Sequence, residues 1–413
     1  MDARRPVLAL GLHPDSTVGL EQLILALTCF QCNNGFQQTL KTVNVMKDAG
    51  CVGKAADQLM AALQEVPFLA SASLRREGTR GDARIDFILA APMTGRRLVC
   101  EVKSSGQPRM AREACLNLLD YSRSDKRDYP VFIAPYISPA AAAICDQYQV
   151  GYFDLAGNCR LAFDQVYIRR QGFPNPTIQK RDLRSLYSPK AERVLRVLLA
   201  AGKRTWRMQE LADEANVSLG QAANVKKLLA DREWIEQTRS LKTMARSTSP
   251  GDYEIGFRLR SLEDAVLPLL TKWVENYRIE RSRASEYYSL KPIPQIEAEL
   301  TAAGQRIKAR VAFSGFSGAA RLASAVRYQR VTAYVLGDLA ALTDHLGLKP
   351  VSSGANVMLV EPYDEGVFYG IREVDGASIV SPVQLYLDLA QTKGRGEEAA
   401  SVILEEVIKA KWR

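Results

Sequence analysis

The spacing of apolar residues changes several times along the chain, and each spacing predicts a different kind of element. Apolar residues three and four positions apart in segments 19–30 and 54–66 predict amphipathic helices. Two short apolar stretches, 84–91 and 96–103, are separated by a Pro-Met-Thr-Gly turn and predict a β-hairpin. Helical and strand patterns then alternate from about residue 109 to residue 171, which is typical of an α/β layer.

The hairpin turn determines which residues of the two strands face each other. If Ala91 faces Arg96, counting back along both strands places Asp86 directly opposite Glu101. Opposed residues on paired strands have Cβ atoms about 5 Å apart. Because side chains alternate along a strand, Glu101 and Lys103 share one face. The pattern therefore predicts two carboxylates and an ammonium group at one place.

Facing carboxylates repel each other, and a divalent cation removes this repulsion. Mg²⁺ prefers sites with one or two carboxylates, waters and phosphate oxygens. Bound metal makes a water more acidic, and a lysine can orient that water. This chemistry favours Asp86 and Glu101 as Mg²⁺ ligands and all three residues, with Lys103, as a catalytic set. The alternative is a cross-strand ion pair on an exposed sheet, since Glu-x-Lys also occurs by chance.

Asp86 followed by Glu101, Val102 and Lys103 resembles the motif of the PD-(D/E)xK nuclease superfamily. The resemblance implies a mixed sheet between helices, with the two acids binding Mg²⁺ and the lysine serving the attacking water. Such a domain would act as an Mg²⁺-dependent endodeoxyribonuclease if the site is active.

Two further features of that superfamily have counterparts here. The helix after the lysine strand often carries Gln-x-x-x-Tyr, and the matching positions are Asn117 and Tyr121, so the first position departs from the pattern. An acid on an upstream helix is also common, and Glu65 is the candidate for it.

The middle of the chain is strongly basic. The formal net charge is +9, and the window from Lys180 to Glu210 has nine basic and three acidic residues, a net charge of +6. Such a cluster favours a polyanionic partner, although a solvated face can also be basic. The basic residues are Lys180, Arg181, Arg184, Lys190, Arg193, Arg196, Lys203, Arg204 and Arg207.

Segments 188–202, 208–217 and 220–234 predict three helices, followed by a strand pair around 235–237 and 253–255. Their apolar pattern resembles winged helix-turn-helix domains, whose third helix enters the major groove of DNA. There Gln and Asn can read adenine edges, and Lys can hold phosphates. The alternative is a winged helix used only for protein contacts. The resemblance implies DNA contacts from Ser218, Gln221, Asn224, Lys226, Lys227, Lys242, Arg246, Arg204 and Arg207.

The last third of the chain resembles the C-terminal domain of AbiEi-type antitoxins. The matching stretches are FSGFSGAARLA, VTAYV, ANVMLVEPYD, VSPVQLYLDL and GRGEEAA. The resemblance implies a regulator that binds operator DNA through its winged helix and that opposes a nucleotidyltransferase-like toxin encoded nearby. Because such regulators usually read paired half-sites, a homodimer is a further hypothesis.

Composition narrows the class of protein. No apolar run reaches the 18 or so residues needed to span a bilayer, which argues against a membrane partner. The first residues lack a secretory cleavage pattern, and the seven scattered cysteines fit reduced thiols. These features indicate a cytoplasmic protein.

The predicted fold class is α/β, in the form of an α+β multidomain chain. The expected parts are a helical region at 1–80, a PD-(D/E)xK-like core at 81–175, a winged helix-turn-helix at 186–260, a helical connector at 261–289 and an AbiEi-like domain at 290–413. Two functions remain open. The first is a DNA-binding transcriptional regulator of the antitoxin type from a toxin–antitoxin or defence module, and the second is an Mg²⁺-dependent DNA endonuclease targeted by its winged helix.

Overall fold

The computed structural model describes residues 52–65, 69, 71–80, 83–175, 186–241, 253–323, 328–392 and 394–413. The chain has two compact units. The first comprises the described parts of Met1–Gly106 and Met110–Asn175, and the second comprises Gln107–Arg109 and the described part of Pro176–Arg413. Both combine helices with sheets, so the α/β, α+β multidomain fold class is confirmed.

The first unit is built on a seven-stranded mixed sheet whose strands lie side by side in chain order. Strands β3, β4 and β5 are parallel, and the remaining neighbours are antiparallel. The strands are β1 Ser73–Arg80, β2 Ala83–Ala91, β3 Arg96–Val102, β4 Asp128–Ala134, β5 Gly151–Asp154, β6 Cys159–Phe163 and β7 Val166–Arg170.

Helices cover both faces of this sheet. Helix α1 (52–64) packs on one face, where Leu59 and Leu63 are fully buried. Helices α2 (Pro108–Ser122) and α3 (Pro139–Gln147) pack on the other face. Because successive side chains of a strand point to opposite faces, they pack into two separate apolar cores, as expected for a sheet buried on both sides.

Two strand assignments differ from the sequence analysis. Strand β1 lies in the region expected to be helical, because its polar sequence becomes a strand only by pairing with β2. The apolar pattern from 159 to 170 predicts one strand, but the segment forms the hairpin of β6 and β7. Asp164 turns the chain there with φ +48°, a conformation that Asp tolerates better than most residues.

The second unit begins with three helices and a two-stranded sheet. The helices are α4 Pro189–Ala200, α5 Met208–Glu214 and α6 Leu219–Asp231, and the strands are β8 Ile235–Leu241 and β9 Tyr253–Leu259. This is the order of elements that the sequence predicts for 186–260. The segment expected to form the tip of the strand pair, with Lys242 and Arg246, lies outside the described residues.

The rest of the second unit is a second seven-stranded sheet with helices around it. Its strand order is β13-β10-β14-β12-β11-β16-β15. The strands are β10 Arg283–Tyr288, β11 Arg310–Phe313, β12 Val331–Leu336, β13 Lys349–Pro350, β14 Val357–Glu361, β15 Arg372–Val374 and β16 Ala377–Ile379. The helices are α7 Leu267–Asn276, α8 Ile293–Arg306, α9 Gly315–Leu322, α10 Leu339–Leu346, α11 Pro382–Ala390 and α12 Arg395–Val402, which a π turn and a final helix extend to Trp412.

The three-helix segment and the second sheet share one apolar core. Helix α4 is buried along almost its whole length, including Arg193 and Arg196. Arg193 pairs with Asp364 at 2.8 Å and with Glu365 at 2.9 Å. Two members of the basic cluster therefore face the interior, which corrects the expectation of a basic surface along this helix.

Arg196 belongs to a series of buried polar side chains that are hydrogen-bonded to one another. The Arg196 guanidinium donates to Gln384 Oε1 at 2.7 and 3.0 Å, and Glu192 lies 3.5 Å from Arg196. The Gln384 amide donates to Asp388 at 2.8 Å. Tyr277 also donates to Asp388, at 2.8 Å. Buried charges are stable only when they are paired and hydrogen-bonded, so these contacts hold α4 against α11.

Candidate functional site

The strand alternation of β3 determines where the candidate catalytic residues lie. Val99 packs in the core beneath α2, and Cys100 packs in the core beneath α1. Glu101 and Lys103 therefore project on the α2 side, because positions 99, 101 and 103 share a face. The site lies at the end of β3, between the sheet and α2.

The hairpin has the predicted register, with Ala91 paired to Arg96. The ladder ends at the pair of Phe87 and Cys100, one step before Asp86 would face Glu101. The Asp86 carboxylate instead accepts a hydrogen bond from the Val102 backbone N–H at 2.7 Å. Asp86 is thus fixed against β3 by a backbone donor.

Lys103 lies between two carboxylates. Its ammonium group is 2.9 Å from Glu101 Oε1 and 2.9 Å from Glu113 Oε1. The second oxygen of Glu101 accepts a hydrogen bond from the Asn117 side-chain amide at 2.9 Å. Helix α2 therefore supplies two polar groups to the site, and the departure from Gln at position 117 keeps an amide donor there.

The motif predicts Asn117 and Tyr121 on α2 but does not include Glu113. Residues four apart on a helix lie on one face, so 113, 117 and 121 form a stripe. Extending the motif one turn toward the start of the helix would have found Glu113. Tyr121 itself is only 3% exposed and packs in the core beneath α2.

The electrostatics of the site follow from burial. Glu101 is 6% exposed, and its desolvation raises the pKa of this carboxyl above the ordinary value, against the lowering effect of Asn117 and Lys103. The charge of Asp86 raises the pKa of Glu101 further. Burial alone would lower the pKa of Lys103, but its hydrogen bonds to Glu101 and Glu113 outweigh burial and raise it. Lys103 is therefore a fixed cation.

The donor set fits a weakly chelated magnesium ion better than a closed metal site. Asp86 and Glu101 offer hard carboxylate oxygens, the ligand type that Mg²⁺ prefers. Within the described ranges, no group of three or more His, Cys, Asp or Glu side chains could hold a metal ion. Two carboxylates suffice for Mg²⁺ where phosphate and water complete the shell.

Two other acids lie apart from these residues. Glu65, the candidate upstream acid, pairs with Arg170 on β7, at the far edge of the sheet from β2, so it does not join the site. Asp154 is fully buried and accepts hydrogen bonds from the backbone N–H groups of Ile137, Ala156 and Asn158. These bonds hold segment 154–158 in a tight turn.

Helix α6 carries most of the predicted DNA contacts. Ser218 caps it by accepting from the Gln221 N–H at 3.2 Å. Ser218 and Lys227 are exposed, and Asn224 is half-buried. The Lys226 ammonium lies 4.7 Å from the centroid of the Phe257 ring, so this lysine packs against β9.

The environments of three further predicted DNA-contact residues, Gln221, Arg204 and Arg207, differ from one another. The Gln221 side-chain nitrogen is buried without a hydrogen-bond partner among the described residues. Arg204 is exposed and stacks over the Trp206 ring at 3.9 Å. Glu210 accepts from the Arg207 backbone N–H at 3.3 Å and lies 4.0 Å from its guanidinium.

Comparison with known proteins concerns the second unit. Residues 265–409 match the model of a family described as a transcriptional regulator, AbiEi antitoxin, of a type IV toxin–antitoxin system. Searches of curated proteins and of solved structures found no match. In the described part of the chain, no helix combines the length and apolar character that a bilayer crossing requires. The segment from α7 to the last helix is therefore similar to AbiEi antitoxin regulators.

Proposed function

We propose that the protein is a DNA-binding transcriptional regulator of the antitoxin type, belonging to a prokaryotic toxin–antitoxin or defence module. The match of residues 265–409 supports the regulator and antitoxin part of this proposal. The three helices and strand pair at 189–259 support the DNA-binding part, because they follow the element order of a winged helix-turn-helix.

The observation that carries the proposal is the two-sided character of α6. Ala222, Val225 and Leu229 are fully buried on one face. Lys227 is exposed on the opposite face, and Ser218 is exposed at the start of the helix, where it caps it. Because α6 packs through its apolar face and leaves its polar face open to solvent, the polar face can enter a major groove while the domain stays folded. The nuclease-like unit would then add DNA-binding surface or recognise a partner.

The proposal is tested by fluorescence anisotropy with DNA from upstream of the protein's own gene. Binding should weaken about a thousandfold between 50 and 200 mM salt if several phosphates are contacted. Lys227→Glu should weaken binding at least tenfold. Lys349→Glu, the same charge reversal on the exposed strand β13, is the matched control and should change it less than twofold. Equal effects of the two reversals would overturn the assignment of α6.

The regulator proposal carries two expectations about partners. Light scattering after size exclusion should give twice the monomer mass if the protein reads paired half-sites as a homodimer. A monomer with full operator affinity would refute the dimer. A neighbouring gene for a nucleotidyltransferase-like toxin, neutralised when the two are co-expressed, would support the antitoxin role, and toxicity unaffected by this protein would refute it.

The second candidate function is an Mg²⁺-dependent endonuclease targeted by the same helix. Its specific support is the meeting of Asp86, Glu101 and Lys103 at the end of β3. Asp86 and Glu101 would hold Mg²⁺, which would acidify a water and neutralise phosphate charge. Asn117 keeps the Glu101 carboxylate oriented. The Lys103 ammonium would orient the attacking water after its ion pair with Glu113 breaks.

Incubation of plasmid, duplex and single-stranded DNA with the protein in Mg²⁺ tests this candidate. Cleavage should be lost in Asp86→Ala and in Lys103→Ala while DNA affinity stays within twofold of the wild type. Glu65→Ala is the control acid, because it lies away from the site, and it should cut normally. The absence of cutting on every substrate would eliminate the endonuclease.

A further inference from the structure

The second unit contains a cavity of about 400 Å³ between α4 and the last helices of the chain. Its walls are mainly apolar and include Leu199 of α4, Val383 of α11, and Val407, Ile408 and Trp412. Cavities of roughly 300–1,000 Å³ with apolar walls and a few polar groups are typical of small-molecule sites. The lining therefore has the size and character needed to enclose the body of an organic ligand.

Two cations line the same cavity, Arg372 and Lys411. Neither takes part in any ion pair among the residues that the structure describes. Burial, and next the charge of Arg372, lower the pKa of Lys411, which places the two cations close enough to repel each other. The Lys411 ammonium donates to the carbonyl of Ala200 at the C-terminal end of α4, where the helix dipole offsets part of its charge without forming an ion pair.

The lining also contains one acid, Glu214, which forms no ion pair with Arg372 or Lys411 in the described part of the chain. Glu214 accepts a hydrogen bond from the Tyr369 hydroxyl at 2.8 Å. The cavity also includes Ser381 and Pro382, at the start of α11, where the helix dipole adds positive potential. An anion would relieve the repulsion between the two cations, whereas a neutral ligand would not.

We propose that this cavity binds a small organic anion with an apolar body, its negative group held by Arg372 and Lys411. The apolar walls take the body of the ligand, and the two cations give preference for a carboxylate over a neutral isostere. A simple inorganic anion would leave the apolar walls unfilled, so the proposed ligand is an aromatic or aliphatic carboxylate.

The cavity adjoins the helix-turn-helix segment. Glu214 is the last residue of α5, and a second cavity of about 310 Å³ shares Glu214 and Tyr369 with the first. Asn216, in the turn that leads to α6, lines that second cavity and donates to Glu365 at 3.3 Å. Ligand binding would therefore act on the turn that positions α6, a step that rests on the proposed DNA-binding function.

Isothermal titration of the full chain without DNA tests the site. The probes are 1-naphthoate, indole-3-acetate and octanoate, each compared with its amide. At least one carboxylate should bind at least fivefold more tightly than its amide, and Arg372→Met combined with Lys411→Met should abolish that preference. Lys349→Met is the matched control for loss of an exposed cation and should leave the preference unchanged.

The proposed site would be overturned if none of the carboxylates bound more tightly than its amide, or if the preference persisted in the double variant. Val383→Trp fills the cavity without changing charge and should abolish binding of both acid and amide; unchanged binding would place the ligand elsewhere. DNA anisotropy with and without the best carboxylate tests the coupling separately. A change of threefold or more in affinity supports coupling, and an unchanged affinity refutes it.

Discussion

The side-chain amide of Asn117 donates a hydrogen bond to Glu101 Oε2 at 2.9 Å, which joins helix α2 to strand β3 at the candidate site. Glu101 is nearly buried, so this hydrogen bond partly replaces the water contacts that an exposed carboxylate would have. The amide therefore both orients this carboxylate and stabilises its charged form.

Replacing Asn117 with Leu should remove this donor while keeping a side chain of similar size. A hydrogen bond to a charged group contributes about 1.5–3 kcal/mol, so the first unit should melt several degrees lower. Mg²⁺ affinity, measured by titration calorimetry, should fall at least threefold. Asn117→Gln keeps the amide and should recover part of both, and an unchanged melting temperature in Asn117→Leu would show that the bond contributes little.

Glu101 predicts a specific dependence of stability on pH. Its pKa is raised in the folded protein above the ordinary value of 4.5, so the folded state holds this proton more tightly than the unfolded chain. Its contribution to stability is therefore full below that value and is lost as pH rises through the raised pKa.

Glu101→Gln, which cannot ionise, provides the comparison. The melting temperature of the wild type relative to this variant should fall between pH 4 and pH 7, as measured by calorimetry. Glu65→Gln, at an exposed acid, is measured in the same way as the control for loss of a surface carboxylate. A wild type that gains stability over the variant across this range would contradict the assigned direction of the shift.

Substitutions of Arg193 and Lys227 should distinguish a cation that stabilises the fold from a cation that binds DNA. Arg193→Met leaves Asp364 buried without its partner, and breaking such a pair costs about 3–5 kcal/mol. Calorimetry should show a melting temperature lower by about 6–10 °C. Lys272→Met, in an exposed pair, should change it by less than about 2 °C.

Lys227→Met should behave in the opposite way. It should leave the melting temperature nearly unchanged and reduce the magnitude of the salt dependence of DNA binding by about one unit. Arg193→Met, assayed below its melting temperature, should keep the wild-type salt slope. A reduced slope in Arg193→Met would mean that this arginine reaches phosphate.

The Gln221 side-chain nitrogen is buried and has no partner within the described ranges, and an unsatisfied buried donor costs about 1–3 kcal/mol. Gln221→Met removes that donor at similar volume, so the melting temperature should rise by about 2–4 °C. If the same amide reads a base, affinity for the operator should fall while affinity for unrelated DNA stays constant. A lower melting temperature in Gln221→Met would show that the amide has a partner in solution.

Local patterns in the sequence predicted much of the fold. The turn from Pro92 to Gly95 determined the hairpin register, and Ser188 with its following proline marked the start of α4. These succeeded because a hairpin turn and a proline at the first position of a helix act within a few positions of the chain.

Features that depend on distant partners were not predictable in this way. Arg193 is basic in the sequence, but its environment is set by Asp364, which lies 171 positions away. Strand β1 becomes a strand only beside β2. Glu113 was missed because it lies in the first half of α2, one turn before the position compared with the motif.

The polar chain through Arg196, Gln384 and Asp388 limits how this protein could be recombined with its relatives. A chimaera joined between residues 200 and 270 would combine α4 from one parent with α11 from another. Unless the second parent also supplies an acceptor at position 384, the buried Arg196 guanidinium would lose two of its three hydrogen bonds. Natural recombination that exchanges the N-terminal half is therefore expected to keep Arg196, Gln384 and Asp388 together. Engineered hybrids should include all three residues from the same parent.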